Sequence, residues 1–331
     1  MQPTSTALNR RRPDGRRKTK CGIVHRAAQR DDDMSDGRQT VTQTPDSQRQ
    51  SPRPPIIACA LSIAGSDSGG GAGIQADVQT FAAHGILPCT AITAITAQNT
   101  SGVYNTLAVP PALVTEQIDV VLDDLPVRAL KTGMLANEEN VEAVAAVLAL
   151  HPNIPLVVDP VLASTSGSEL LSENGLKLLR QRLLPLATVV TPNLTEAAKL
   201  LGHPIDGMPA SDIAQALFEL TAGRAAIVLK GGDVEHSPRA RDLALLPDGQ
   251  EIWLDVPRVK TRSSHGTGCT FAAAITANLA RGAGLGDALR AAKHYVTGAL
   301  INAIPVGQGH GPLNHMWQLK RNDPTGFELP P

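Results

Sequence analysis

The stretch IACALSIAGSDSGGGAGIQADVQTFAAH, residues 57–84, decides the fold class. Its first part, Ile57–Ala64, is a short apolar run that suits a strand buried on both faces. Its last part, Ile74–His84, has a helical pattern, and the turn between them, Ala64 to Gly73, is rich in glycine. Strand, glycine-rich turn and helix in that order open an α/β fold, which places ligands at the carboxyl ends of its strands. The same alternation continues outward. Strands are expected at Cys89–Ala97, Arg128–Thr132, Leu156–Asp159, Thr188–Thr191 and Ala225–Lys230. Helices are expected between them at Leu113–Asp123, Asn137–Leu150, Glu169–Leu183 and Ser211–Thr221. Strands this apolar have no wet face, and parallel neighbours need crossover helices, so a mainly parallel central sheet with helices on both sides follows. Asp242–Pro247 and Glu251–Val256 flank Asp248-Gly249, a type I′ hairpin signal near the sheet edge. Ala-rich helices, Cys269–Arg281 and Leu285–Ile304, close the domain.

Composition agrees. Of 331 residues 42% are apolar but only 2% aromatic, so the core is built from Ala, Val, Leu and Ile, as buried parallel strands require. A net charge of −1 gives no global reason to expect nucleic acid or an anionic membrane as partner. No apolar run is long enough for a membrane span. Cys21, Cys59, Cys89 and Cys269 lack zinc-ligand or disulfide-framework spacing, which fits a reducing cytoplasm. Residues 1–55 are polar, basic and without apolar periodicity, and are expected to be a disordered extension. Their basic run, Arg10 to Lys20, fits a targeting or nucleic-acid arm; a solvated tail, with Met34 as the initiator, is the plainer reading. One domain is expected over 56–320, followed by a tail at 321–331.

Several motifs can carry chemistry. The turn at 64–73 is neither a P-loop, since no Lys follows its glycines, nor a dinucleotide fingerprint, since Ile74 stands where the third glycine belongs. It remains a turn that lets backbone approach a small ligand, with Asp77 either accepting a ligand hydroxyl or complementing the helix dipole. The second motif, Ser263-Ser264-His265-Gly266-Thr267-Gly268-Cys269-Thr270, leads into a long helix. Glycines at a helix mouth leave unpaired N–H groups that form an anion hole for a transferring phosphoryl group. Cys269 in the first turn is expected to gain thiolate character from the helix dipole and to take a proton from a substrate hydroxyl; a small buried apolar residue is the bland alternative. Polar clusters end other strands. Asp159 and Glu196 suit Mg²⁺, Lys230 suits nucleotide phosphate, and Thr191 and Asn193 suit phosphate or water, although each also fits an ordinary turn or helix start. Gln98 carries the donor and acceptor that an aminopyrimidine edge would pair with, and Met134 offers an apolar wall; both could equally be loop and core residues.

Together AGSDSGGGAGIQAD (64–77), TAQNT (96–100), TGML (132–135), VVDPV (157–161), TPNLTEA (191–197), LKGGD (229–233) and HGTGCT (265–270) resemble the hydroxymethylpyrimidine and phosphomethylpyrimidine kinases, over about Ile57 to His315. The resemblance implies a three-layer α/β/α ribokinase-like fold and two successive transfers from ATP, first to the 5-hydroxymethyl group of an aminopyrimidine and then to the resulting phosphate. On matching positions it implies a pyrimidine site at Gly65, Asp77, Gln98 and Met134. It implies a Mg·ATP site at Asp159, Glu196, Lys230, Asn193, Thr191 and Thr267, and an anion hole and base at Gly266, Gly268 and Cys269. A homodimer is expected by analogy alone. Where such kinases often carry Lys after Asp-Pro-Val, this chain has Leu162-Ala163-Ser164-Thr165-Ser166-Gly167, so no cation is expected there. Nothing resembling an added thiamine-synthesis domain follows residue 320, and a single-activity chain is expected. A pyridoxal kinase of the same fold and a non-catalytic ligand sensor are the competing readings.

Overall fold

The structure is a computed structural model, and it describes residues 58–163, 170–231 and 237–319. The expected extension at 1–55 and tail at 321–331 lie outside these residues, as do Ser164 to Gly167 and the Gly232-Asp233 end of the lysine motif.

A nine-stranded sheet runs through the described residues: β1 (Cys59–Asp67), β2 (Leu87–Asn99), β3 (Gly102–Ala108), β4 (Val127–Thr132), β5 (Leu156–Val158), β6 (Val189–Val190), β7 (Ala226–Lys230), β8 (Arg239–Leu245) and β9 (Glu251–Pro257). Its spatial order is β3-β2-β1-β4-β5-β6-β7-β8-β9. The pairings from β2 through β7 are parallel, whereas β3, β8 and β9 add antiparallel edges. The helices are α1 (Gly73–Ala83), α2 (Pro111–Asp124), α3 (Glu138–Leu148), α4 (Glu173–Leu178), α5 (Leu194–Leu201), α6 (Ala210–Leu220), α7 (Thr267–Ala280) and α8 (Leu285–Ile301).

Strand alternation sorts the core into two layers. Leu61 and Ile63 of β1, Leu130 of β4, Val158 of β5 and Ile227 of β7 point to one face, where α2, α3 and α6 supply residues such as Ile118, Val144 and Leu217. The intervening residues point to the other face. There Val157, Val189 and Val228 meet Phe271 and Ile275 of α7 and Leu289 of α8, while Ala60 and Ala129 meet Phe81 of α1 and Ala273 and Ala277 of α7. Alanines on both sides of that second contact bring α7 close against the sheet, so its N-terminus lies at the strands' carboxyl ends.

Four local readings change. β3 was not expected: most of Gly102–Ala108 is exposed, so no apolar alternation marks it. The eight-residue α5 was expected only as an alternative helix start at Glu196; a capping box, in which Asn193 and Glu196 each bond the other's backbone N–H, holds it. The helix expected at Glu169–Leu183 is α from Glu173 only to Leu178, then widens into a π-helical turn at Leu179–Leu183 ahead of Pro185. The β8–β9 turn is not type I′, because Gly249 (φ +85°) has positive φ whereas Asp248 does not. Gly249 N–H bonds the Leu246 carbonyl at 2.9 Å, so Pro247 and Asp248 form a type I turn and Gly249 supplies the left-handed residue after it.

Candidate active site

The carboxyl ends of β1, β2, β4, β5, β6 and β7 open on one cavity of about 690 Å³. At one side Gly65, Gln98 and Met134 line it; a Cβ on Gly65 would come within 3.1 Å of the Met134 sulfur, so the glycine is what lets that side chain lie against the turn. At the other side are Asp159, Glu196 and Lys230, with Asn193 beside them. Gly266, Thr267, Gly268 and Cys269, at the mouth of α7, lie on the wall between.

The α7 mouth has the geometry that its glycines suggest. Gly266 is the N-cap at φ +82°, and no side chain caps the helix. The amides of Gly268 and Cys269 therefore have no acceptor within the helix. A Cβ on Gly266 would overlap the Gly71 carbonyl, so this loop and the glycine-rich turn pack backbone to backbone. A Cβ on Gly268 would lie 3.2 Å from Lys230 Nζ, which places the ammonium directly over the helix mouth.

Lys230 Nζ lies 3.3 Å from Asp159 Oδ1 and 3.7 Å from Glu196 Oε2. Burial alone would lower its pKa, but the two carboxylates outweigh burial and hold it above the ordinary lysine range. Thr191 is fully buried behind the wall, its hydroxyl donating to Asp159 Oδ1 at 3.1 Å, and so orients the carboxylate. The side-chain oxygen of Asn193 accepts the Glu196 N–H at 2.8 Å as the cap of α5, which leaves its amino group for the cavity.

Asp77 is also behind the wall. It is fully buried and receives Ser62 Oγ at 2.5 Å and Lys131 Nζ at 2.8 and 3.0 Å. Burial favours the neutral form of each partner, raising Asp77 and lowering Lys131; two donor groups making three hydrogen bonds to one carboxyl group use both its oxygens as acceptors, so the pair is ionised, with Lys131 held high by Asp77. Lys131, which no functional reading had singled out, is the member of the pair that reaches the cavity wall. Its signal in the sequence is a lysine inside the otherwise apolar end of β4.

Cys269 departs from expectation. Burial pushes its thiol up to about 11; Lys131 and the Gly73 amide pull it down, Asp159 and Asp77 push it further up. Desolvation and two carboxylates thus outweigh Lys131 and the Gly73 amide.

Asp67 and His265 were also missed. Asp67 accepts the amides of Gly69 (2.8 Å), Gly71 (3.1 Å) and Ala72 (2.9 Å), and so shapes the whole turn. Burial raises its carboxyl, yet hydrogen bonds from His265 and these amides prevail and hold it below the ordinary value. Its partner His265 is 198 residues away in sequence, 2.9 Å from Nε2 to Oδ2.

Comparison with known proteins adds four findings. The family model for phosphomethylpyrimidine kinase matches residues 67–314. A hydroxymethylpyrimidine/phosphomethylpyrimidine kinase of Haemophilus influenzae is 44% identical over 264 residues, covering 79% of this chain and 97% of its own. Among solved structures, the pyridoxal kinase of Staphylococcus aureus in complex with AMP-PCP and pyridoxal aligns with a TM-score of 0.71 at 32% identity, covering 80% of this chain and 96% of that one. A phosphomethylpyrimidine kinase of Clostridium difficile aligns at 0.62 and 36%, covering 72% and 98%.

Proposed function

The chain belongs to the phosphomethylpyrimidine kinase family, a ribokinase-like fold, and from that premise we propose how its residues divide the reaction. It is a phosphotransferase that phosphorylates hydroxymethylpyrimidine and then its monophosphate for thiamine biosynthesis, with ATP as donor. The observation that carries the assignment of residues is the single cavity with two dissimilar ends, apolar and amide-lined at Met134 and Gln98, charged at Lys230, Asp159 and Glu196, and the mouth of α7 between them.

In this assignment the aminopyrimidine lies against Gly65, Met134 and Gln98, and Asp77 acts on it from behind through Lys131. The substrate hydroxyl oxygen attacks the γ-phosphorus as the bond to ADP breaks, and Cys269 in its thiolate form takes the hydroxyl proton and becomes the thiol. The amides of Gly268 and Cys269, in the loop set by Gly266, receive the transferring phosphoryl oxygens together with Lys230. Thr267 and Asn193 line the nucleotide side, and Thr191 holds Asp159 in place. Mg²⁺ fits the donors present. Asp159 and Glu196 offer only oxygen, which a hard cation prefers, and no cluster of three ligating side chains occurs among the described residues, so phosphate and water would complete the shell. When bound, the ion neutralises charge on the phosphates.

The test is a coupled assay of ADP release with 4-amino-5-hydroxymethyl-2-methylpyrimidine, its monophosphate and pyridoxal, with and without EDTA, on the wild type and Cys269→Ala. Turnover of both pyrimidines, abolished by EDTA and strongly reduced in Cys269→Ala, supports the assignment. Turnover that ignores EDTA removes Mg²⁺, and an unimpaired Cys269→Ala removes the base. Pyridoxal is the weaker second reading, supported by the resemblance to pyridoxal kinases, and preferential turnover of it would establish that reading. A cytoplasmic homodimer completes the proposal. Buried Cys59 and Cys89, joined in no disulfide, suit a reducing compartment, and exposed Ile95, Tyr104 and Leu107 at the β2–β3 edge suit a second copy, which light scattering on the purified protein measures.

A further inference from the structure

Gln98 ends β2 and stands between two groups whose protons can be counted. In the structure its Nε2 is 3.1 Å from His265 Nε2 and its Oε1 is 3.1 Å from Thr96 Oγ1. The Thr96 hydroxyl has one hydrogen, and the Ser66 carbonyl, 2.9 Å away, takes it. Thr96 must then accept from Gln98, so the end facing it is the amino group. At the other end, His265 Nε2 is 2.9 Å from Asp67 Oδ2, an oxygen that also accepts the amides of Gly71 and Ala72 and is therefore a carboxylate oxygen. The imidazole nitrogen must carry a hydrogen there, so the end of Gln98 facing it is the carbonyl. Both counts turn the amide the same way, and nitrogen and oxygen ends of an amide are nearly isosteric, so the reversal needs no movement.

The residue is also fixed from two sides: its backbone N–H bonds the Gly311 carbonyl at 3.0 Å, and its ring lies against Gly71, where a Cβ would come within 2.6 Å of Cδ2. We propose that His265 is a positioning residue for the pyrimidine: anchored by Asp67, it fixes Gln98 with its carbonyl toward the imidazole and its amino group toward Thr96, leaving one amide N–H for a ring-nitrogen acceptor on the substrate. The same contact ties the glycine-rich turn at 67–72 to the anion-hole loop at 265–268, so the ring and the phosphoryl site are registered by one side chain. The proposal rests on the pyrimidine-kinase reading, and the two fail separately: were that reading wrong, the wild type itself would not turn over the pyrimidine.

The experiment compares KM for hydroxymethylpyrimidine and for ATP in His265→Leu, which loses the hydrogen bonds, and His265→Gln, whose amino group replaces the Nε2 donor. His265→Leu is expected to raise the pyrimidine KM at least about tenfold, the scale of one lost hydrogen bond that leaves polar groups unpaired, with ATP KM within about threefold. His265→Gln is expected to recover most of that loss. Equal effects of Leu and Gln, an effect on ATP rather than pyrimidine, or no effect at all would overturn the proposal. Should His265→Leu fail to fold, Thr96→Val, which removes the acceptor for the Gln98 amino group and keeps the shape, is expected to raise the pyrimidine KM about fivefold or more; an unchanged KM there overturns it equally.

Discussion

Removing one partner of the Asp77–Lys131 pair should be among the most damaging single changes to the interior of this protein. Both side chains have zero exposure, so solvent does not screen what remains. Lys131→Met leaves Asp77 with only the Ser62 hydroxyl for a buried carboxylate, and Asp77→Asn leaves a buried ammonium facing an amide. Breaking a buried pair from one side costs about 3–5 kcal/mol, a large share of a total stability of roughly 5–15 kcal/mol. With a urea slope near about 3 kcal/mol/M, each single variant should lose roughly 1–2 M in its unfolding midpoint. The double variant Asp77→Asn/Lys131→Met leaves neither charge behind, and should lose clearly less than the sum, by about 2 kcal/mol or more of coupling. Equilibrium urea denaturation of the full chain, followed by tryptophan fluorescence and far-UV circular dichroism, measures all four corners of the cycle. Additive losses of under about 1 kcal/mol each would refute the account of an ionised pair.

Three further outcomes follow from the same geometry. His315 is buried, its Nε2 3.0 Å from Thr270 Oγ1, and burial lowers its pKa to about 4; the unfolded chain binds the proton first, so stability present above about pH 6.5 should fall as pH drops toward 4, by at most about 3 kcal/mol. The unfolding midpoint at pH 7 and pH 4.5 in wild type and His315→Gln checks this, and a variant equally sensitive to acid would exclude His315. Gly266→Ala places a Cβ on the Gly71 carbonyl at a positive φ, and should abolish pyrimidine phosphorylation and lower the thermal midpoint, whereas Gly249→Ala, at an open turn, should spare activity. The Cys269 thiol should react slowly with iodoacetamide at pH 7.5 in ligand-free protein and faster as pH approaches 11, as read by peptide mass spectrometry; full reaction within minutes at neutral pH would contradict its raised state.

The fold was legible wherever burial on both faces left a plain pattern. β1, β4, β5 and β7 read correctly because they are apolar runs bounded by glycine or helix signals, and α7 and α8 because alanine-rich stretches of that length have few alternatives. β3 was illegible for the opposite reason, since an exposed edge strand has no hydrophobic period to read. Among site residues, those standing directly after strands were brought to the common cavity because topology alone converges strand ends. What the sequence hid was side-chain direction. Asp77 and Thr191 stand in the right motifs yet face inward, one to bind Lys131 and the other to orient Asp159. The Asp67–His265 contact spans 198 residues, and nothing in either motif alone marks the other as partner.

Direction also decides what kind of base Cys269 can be. Read from sequence, the helix dipole favours the thiolate; in the folded site burial, Asp159 and Asp77 raise the thiol and outweigh Lys131 and the Gly73 amide. A thiol near 11 is almost wholly protonated at neutral pH, so few molecules hold a preformed thiolate. Only the thiolate can accept the hydroxyl proton, so under the proposed assignment the small thiolate fraction is the base, acting late in a transfer whose loose transition state asks little of the nucleophile. Under that order, truncating Cys269 removes the proton acceptor but leaves Lys230, the α7 amides and substrate alignment intact. The loss in kcat should therefore fall in the general-base range of about 10²–10⁴, with KM nearly unchanged, rather than at the complete inactivation that loss of an obligatory thiolate nucleophile would give.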